Sequence, residues 1–271
     1  MRRISRAQVA EVLDNLGLVA GDHVMVHASL LPFGPPEAGV ATFLDPLLAA
    51  VGPRGTVVAP TFTFGFIRTG LYDVADTPSV GMGTLAEAIR RHPSSRRSRH
   101  PIQSIAAIGA MARDLSSLET PSAYGPGSAF DRLVAQDFRI LLLGAAPGHI
   151  SASHLSEERA KVPYRYSKTV EGVARLAPGE APRPGKWSFY ARYLEIDIFP
   201  AREDEVVERL VATGSWRTAE LQGIPVHVGS SRAFCSIIDA ELAADPYWLL
   251  PNPEEVREFC ADKARSCASP V

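Results

Sequence analysis

The sequence predicts an α/β fold: a mixed central sheet flanked by helices, with a smaller C-terminal α+β portion. Three observations predict it. Strand-like and helix-like segments alternate through the first 160 residues. The run Arg139–Gly144 (RILLLG) is almost wholly apolar, as a strand covered on both faces must be. A Pro/Gly-rich stretch at 177–186 interrupts the chain, and strand and helix signals are mixed beyond it.

Taken in order, Ser5 caps an amphipathic helix over 5–17, in which Val9, Leu13 and Leu16 recur at helical spacing. Gly21-Asp22 turns the chain into a short strand, His23–His27. Ala41–Val51 reads as a helix closed by Gly52-Pro53, and Gly55–Pro60 as a second strand. A long loop spans Thr61–Gly83. Thr84 is placed to cap a helix running to about His92. Ser104–Ala107 is extended, Phe130–Val134 is a helical turn, and the apolar strand leads into a helix over Ser151–Arg159. After the Pro/Gly-rich stretch come a strand (Trp187–Leu194), an acidic helix (Arg202–Ala212), a hairpin across Leu221–Pro225, and closing helices. One domain over 1–271 is expected. The stretch near 173–186 marks either a boundary between two lobes or a hairpin loop.

Composition narrows the function. A hydrophobic fraction of 46% with a formal net charge of −2 belongs to a folded globular chain, not a disordered one. It lacks the basic excess that nucleic acid demands. No apolar run is long enough to span a membrane, and no apolar stretch follows the basic N-terminus, so no signal peptide is expected. The three cysteines, Cys235, Cys260 and Cys267, form neither a disulfide framework nor a zinc spacing. Reduced thiols and a cytoplasmic location follow as expectations.

Four segments carry candidate chemistry. In Ser151–Glu158 (SASHLSEE), His154 and Glu157 stand three apart and share a helical face. A carboxylate on one ring nitrogen fixes the tautomer and leaves the other free to take a proton. Ser151 lies one turn earlier, placed to orient the ring, donate to an oxyanion, or cap the helix. Such a pair standing alone is more often a surface salt bridge. Glu158 occupies the position where a zinc motif of the HxxEH type needs histidine, so no metal is expected.

The second segment, Arg96–Ser104 (RRSRHPIQS), sets three arginines beside a proline-fixed turn. Arg97, Ser98, His100 and Ser104 suit a multiply charged phosphate, although the segment alone would read as a solvated basic loop. The third, His27–Gly34 (HASLLPFG), is a strand end running into a Gly/Pro loop. There His27, Ser29 and Leu30 are candidates for holding a ligand against free backbone N–H groups; a plain strand-to-helix connection is the alternative. The fourth is the aromatic loop from Thr61 to Ser79, where Phe64, Tyr72 and Asp73 suit a polar cationic acceptor or simply pack the loop. Neither GxSxG nor GxGxxG occurs, so a hydrolase nucleophile elbow and a dinucleotide fingerprint are both unsupported.

Together and in this order, the chain resembles the aminoglycoside 3-N-acetyltransferase family (antibiotic acetyltransferases). The resemblance rests on Val26–Leu30 with Gly34, Val51–Pro60, Asp73 with Thr77–Ser79 and Gly83, and Arg97-Ser98 with His100-Pro101 and Ser104. It continues with Tyr124–Ser128, and with Leu143-Gly144 ahead of Ser151, His154 and Glu157. It covers about residues 8–172.

The resemblance implies an antibiotic acetyltransferase-like fold, acetyl-CoA as co-substrate, and direct transfer to an amine without a metal or a covalent enzyme intermediate. It implies His154 as general base, Glu157 as its partner and Ser151 in a place usually held by threonine. It also implies CoA contacts at His27, Ser29, Leu30, Arg97, Ser98, His100 and Ser104. Thr63–Phe66, Tyr72–Val74 and Val162–Lys168 are closer to relatives outside the clinical resistance enzymes. The acceptor is therefore an aminoglycoside or related amino sugar or, alternatively, another amine of natural-product or surface-glycan metabolism. A non-catalytic CoA-binding protein is the remaining alternative. A small-molecule acceptor is the expected partner, without nucleic acid or membrane, and a homodimer is left open.

Overall fold

The computed structural model describes residues 3–199 and 201–268. Ser5 opens the first helix, α1 (Arg6–Asn15), through a reciprocal capping box. Its hydroxyl accepts from the Gln8 N–H, and the Gln8 side chain accepts from the Ser5 N–H. The chain continues through β1 (His23–Ala28), β2 (Glu37–Val40), α2 (Ala41–Val51), β3 (Thr56–Pro60), α3 (Phe66–Thr69) and β4 (Leu71–Asp73). Next come α4 (Gly83–Arg91), β5 (Arg96–Arg97), β6 (Ile105–Gly109), α5 (Ala112–Ser117), α6 (Ala129–Ala135), β7 (Arg139–Leu143) and α7 (Ser153–Ala160). The last elements are β8 (Arg165–Arg175), β9 (Arg183–Arg192), α8 (Glu203–Ala212), β10 (Trp216–Leu221), β11 (Ile224–Ser230), α9 (Ser231–Ala244) and α10 (Pro253–Ala268).

Seven strands form the main sheet in the order β10-β11-β7-β1-β3-β6-β5. The central trio β7, β1 and β3 is parallel, and the flanking strands are antiparallel. Pleat alternation explains the apolar runs. Met25, Ile140 and Leu142 point into one core beneath α6, α7, α8 and α9. Val24, Val26, Leu141 and Leu143 point into the other, beneath α1, α2 and α4. Truncating any of these leucines to alanine would cost about 2–5 kcal/mol, because neither face offers water as a substitute.

A second sheet of three strands, β4-β8-β9, covers a small core of Phe66, Tyr72, Ile102 and Trp187. The Pro/Gly-rich stretch supplies the turn between β8 and β9 and the first residues of β9. β10 and β11 meet at Gln222 and Gly223, both at positive φ (56° and 76°), as a two-residue hairpin requires. That hairpin extends the main sheet beyond β7. Thr84 does not cap α4. The chain enters through Gly83 at φ 84°, Met82 takes the cap position, and no side chain caps the helix. Cys235 and Cys260 are free thiols. The Cys267 side chain, with Met1 and Arg2 of the N-terminal segment, lies outside the described residues. Among the described residues no helix is long and apolar enough to cross a membrane.

Candidate active site

Because β7, β1 and β3 run parallel, their C-terminal ends open on the same side of the sheet, where α/β folds place ligands. The segments leaving them line a cleft of about 1950 Å³. The start of α4 and the residues Asp197, Phe199 and Asp204 complete its walls. Its floor depends on Gly144, at φ 70°. A Cβ there would sit 2.6 Å from the Ser29 carbonyl oxygen and 2.8 Å from the Phe33 ring. The bare backbone lets β7 and the loop after β1 meet, and the Ser29 N–H donates to the Leu143 carbonyl at 3.0 Å.

His154 lies in the first turn of α7 and faces this cleft. Its Nδ1 is 2.6 Å from Glu157 Oε2, and its ring stands edge-to-face with Tyr124 at 5.5 Å between centroids. The Glu157 side chain is only 2% exposed. Burial alone would push its carboxyl up. The Arg165 guanidinium and His154 outweigh burial and hold it down to about 2. An ionised Glu157 can only accept, so Nδ1 carries the hydrogen of this contact, and in the neutral ring Nε2 is the nitrogen left with a lone pair. Arg165 Nε lies 2.8 Å from the same Oε2. Its N–H is not aligned on that oxygen, so the contact is a charge pair and not a linear hydrogen bond. Ser151 lines the cleft one turn before His154, beside the Tyr124 hydroxyl.

Behind α7 lies a second carboxyl. Glu203, the first residue of α8, is 3% exposed and its Oε2 has no hydrogen-bond partner. Burial, reinforced by the charge of Glu157, pushes it up to about 7, against the pull of its own backbone N–H, Ser153 and Arg165. Its neighbour Asp204 lines the cleft.

The structure brings His27, Ser29, Leu30, Phe64, Ser151 and His154 together around the cleft, with Glu157 directly behind. Burial, with His149 nearby, lowers His27 to about 3, so its imidazole is neutral. Arg97, Ser98, His100, Ser104, Tyr72 and Asp73 are not brought into the cleft, and among the described residues no lysine or arginine lines it. Arg97 spends its donors internally, on Ser104 Oγ at 2.9 Å, the Thr61 carbonyl at 2.6 Å and the Thr77 carbonyl at 2.5 Å, with Tyr72 beneath it. Ser98 Oγ accepts from the Ile105 N–H at 2.9 Å. Ser104 Oγ donates to the Thr61 carbonyl at 2.8 Å. His100 bridges the carbonyls of Pro121 and Ser188, and burial lowers it to about 4. Asp73 caps its own turn at the Ala75 N–H and pairs with Arg175. Arg97 and Ser104 thereby hold Thr61 at the start of the loop that carries Phe62 and Phe64, and Arg97 also lines a second hollow with Arg90, Arg96 and Arg99.

Sequence reasoning did not single out Arg165, Tyr124, His149, Asp197 or Asp204 for a role. Tyr124 falls within a string that carried the family resemblance and Arg165 within one that departs from the clinical resistance enzymes, but nothing local gave either a partner. No group of three or more His, Cys, Asp or Glu side chains able to hold a metal occurs among the described residues.

Comparison with known proteins agrees with this architecture. The profile of the family described as aminoglycoside 3-N-acetyltransferase matches residues 25–243. Aminoglycoside N(3)-acetyltransferase VIII of Streptomyces fradiae is 29% identical over 254 residues, covering 83% of this chain and 87% of its own length. The chain spans about 65% of the length of further curated relatives that it matches. The solved structure of apo aminoglycoside acetyltransferase AAC(3)-IVa superposes with a TM-score of 0.79 at 26% identity, covering 98% of each chain. AAC-IIIb, solved as a binary complex with CoASH, has the same fold, with a TM-score of 0.77 at 24% identity over 90% of this chain and 97% of its own.

Proposed function

The chain belongs to the aminoglycoside 3-N-acetyltransferase family, an acyltransferase family with acetyl-CoA as co-substrate, and on that premise we propose that it acetylates an amino group of an aminoglycoside or related amino sugar, with His154 as general base and Glu157 as its partner. The observation that carries this reading is the His154–Glu157 contact at 2.6 Å, with an ionised carboxylate behind and the cleft in front.

The cleft suits both substrates. One wall is apolar, with Leu30, Leu31, Pro35, Pro36 and Val40. Beside them Gly39 and Gly81 leave bare backbone where a Cβ would meet nothing within 4 Å. That trough fits a slender acyl-carrying arm. Another wall offers the carboxylates of Asp197 and Asp204 with the rings of Phe64 and Phe199, a setting for a cationic, ring-shaped amine. The solved complexes of relatives, AAC-IIIb with CoASH and AAC-VIa with sisomicin, are consistent with such a pair of ligands.

In the reaction, the lone pair of a neutral amine attacks the thioester carbonyl carbon while His154 Nε2 takes the amine proton. The C–S bond then breaks, and the proton passes to the departing sulfur. Glu157 stabilises the imidazolium in between. Of the two N–H groups after β1, that of Ser29 is bound to Leu143, which leaves the Leu30 N–H and the Ser151 hydroxyl for the oxyanion.

The test is thiol release from acetyl-CoA across a panel of aminoglycosides, simpler amino sugars and other biosynthetic amines, with the acylated nitrogen located by NMR. His154→Ala is expected to lower turnover by about 10²–10⁴-fold. A folded His154→Ala chain with unchanged turnover would overturn the assignment of the base. CoA binding without thiol release from any amine would overturn the reaction itself.

A further inference from the structure

We propose that Arg165 is a third member of the base assembly, a positioning residue that keeps the Glu157 carboxylate ionised and seated behind His154. The proposal rests on the reading of His154 as base. The sequence builds the contact locally. α7 ends at Lys161, which adopts the left-handed conformation (φ 51°), and the Val162 N–H folds back to the Glu157 carbonyl at 3.2 Å. Val162 and Tyr164 are fully buried, which pulls the returning chain against α7 and delivers Arg165, the first residue of β8, to the Glu157 carboxylate.

His154 Nδ1 and Arg165 Nε converge on one oxygen, Glu157 Oε2, at 2.6 and 2.8 Å, and the Arg165 side chain is only 8% exposed. The tautomer of His154 depends on that oxygen. A neutral Glu157 can donate to Nδ1, and the ring hydrogen then moves to Nε2, where it blocks proton uptake from an amine. A carboxyl as buried as Glu157 becomes neutral unless a cation opposes desolvation.

The titratable groups around Glu157 are His154 on α7, Tyr124 before α6, Tyr164 before β8, Tyr190 on β9 and Glu203 on α8. Burial raises all three tyrosines, so they stay neutral, and Glu203 adds only negative charge as the pH rises. Arg165 is the permanent cation of the group.

A purely structural ion pair, tying β8 to α7, would be needed for folding but would leave the His154 tautomer of a folded variant unchanged. The experiment therefore follows kcat/KM against pH in the full chain for Arg165→Met and Arg165→Lys, with the ring nitrogens of His154 read by ¹⁵N NMR. Arg165→Met is expected to move the acid limb up by about 1–3 pH units, with the Nε2–H tautomer appearing over the same range. Arg165→Lys, which keeps the charge of a contact that is not a directional fork, is expected to return the limb most of the way. If Arg165→Met does not fold, Arg165→Gln, a neutral polar side chain in the same place, reads the same limb and tautomer and is expected to show the same upward shift. A folded Arg165→Met or Arg165→Gln chain with the wild-type acid limb and tautomer overturns the proposal. If His154→Ala retains turnover, the assignment of the base has failed. If His154→Ala is inactive and Arg165→Met keeps the wild-type limb, only the role of Arg165 has failed.

Discussion

Glu203 makes a quantitative prediction about stability and pH. Its carboxyl is 3% exposed, lacks a partner for Oε2, and is held near 7 instead of 4.5. The folded chain therefore binds this proton more tightly than the unfolded chain does. Stability is unaffected below about pH 4.5, falls as the pH rises, and levels off above about 7. A rise from 4.5 to about 7, at about 1.4 kcal/mol per pH unit, amounts to about 3 kcal/mol lost at pH 8. Glu203→Gln keeps the shape and removes the titration. It should match the wild type at pH 4.5 and be more stable by about 3 kcal/mol at pH 8, roughly 6–10 °C in Tm for a chain of this size. Thermal and urea unfolding at the two pH values measure this directly. A difference between wild type and Glu203→Gln that does not change with pH would refute the reasoning, because burial would then not be what sets this carboxyl.

Three further outcomes follow. Because His154 Nδ1 and Arg165 Nε approach Glu157 at one oxygen, the carbonyl of Glu157→Gln can still accept from Nδ1, while the charge that pairs with Arg165 is lost. Its kcat should fall by about 5–30-fold, the difference between a charged and a neutral hydrogen bond, and Glu157→Ala should fall further; equal losses would show that the charge does not matter. Arg97→Met strips the donors from the Thr61 and Thr77 carbonyls at about 1–3 kcal/mol each. Urea unfolding should register that loss while KM for acetyl-CoA holds, whereas a tenfold rise in KM at unchanged stability would put Arg97 on the ligand. The Cys235 thiol, pushed up to about 12 by burial, should resist alkylation at pH 8 until the chain unfolds, as peptide mass spectrometry would record.

The central sheet was legible because β1, β3 and β7 are buried on both faces, and burial of that kind writes itself as unbroken apolar sequence. β8 was not. Ser167–Thr169 are exposed and the strand lacks a clear period-2 pattern, so nothing local distinguishes it from loop. The His154–Glu157 pair was legible because its geometry is that of one helical turn. Arg97 lies outside the cleft, with donors turned to partners that the sequence does not reveal. A sequence shows three arginines but not that Thr61, Thr77 and Ser104 return from elsewhere to occupy one of them. Asp197 and Asp204 reach the site by long-range packing, which no spacing rule encodes, and Arg165 by the tight return of the chain after α7, whose partner the sequence does not name.

The pairing of β1 with β7 also has a kinetic side. Val24 sits beside Arg139, and Leu141 of β7 sits in turn beside Val228 of β11. A chain leaving the ribosome must therefore carry β1 with one edge bare until β7 has been made, and β7 must wait again for β11. Closing loops of that length before any contact repays them slows folding. Through most of its synthesis the chain exposes the most apolar strand edges it has, the state in which aggregation competes and a chaperone has most to hold. The floor that carries the chemistry cannot form until β7 has joined β1.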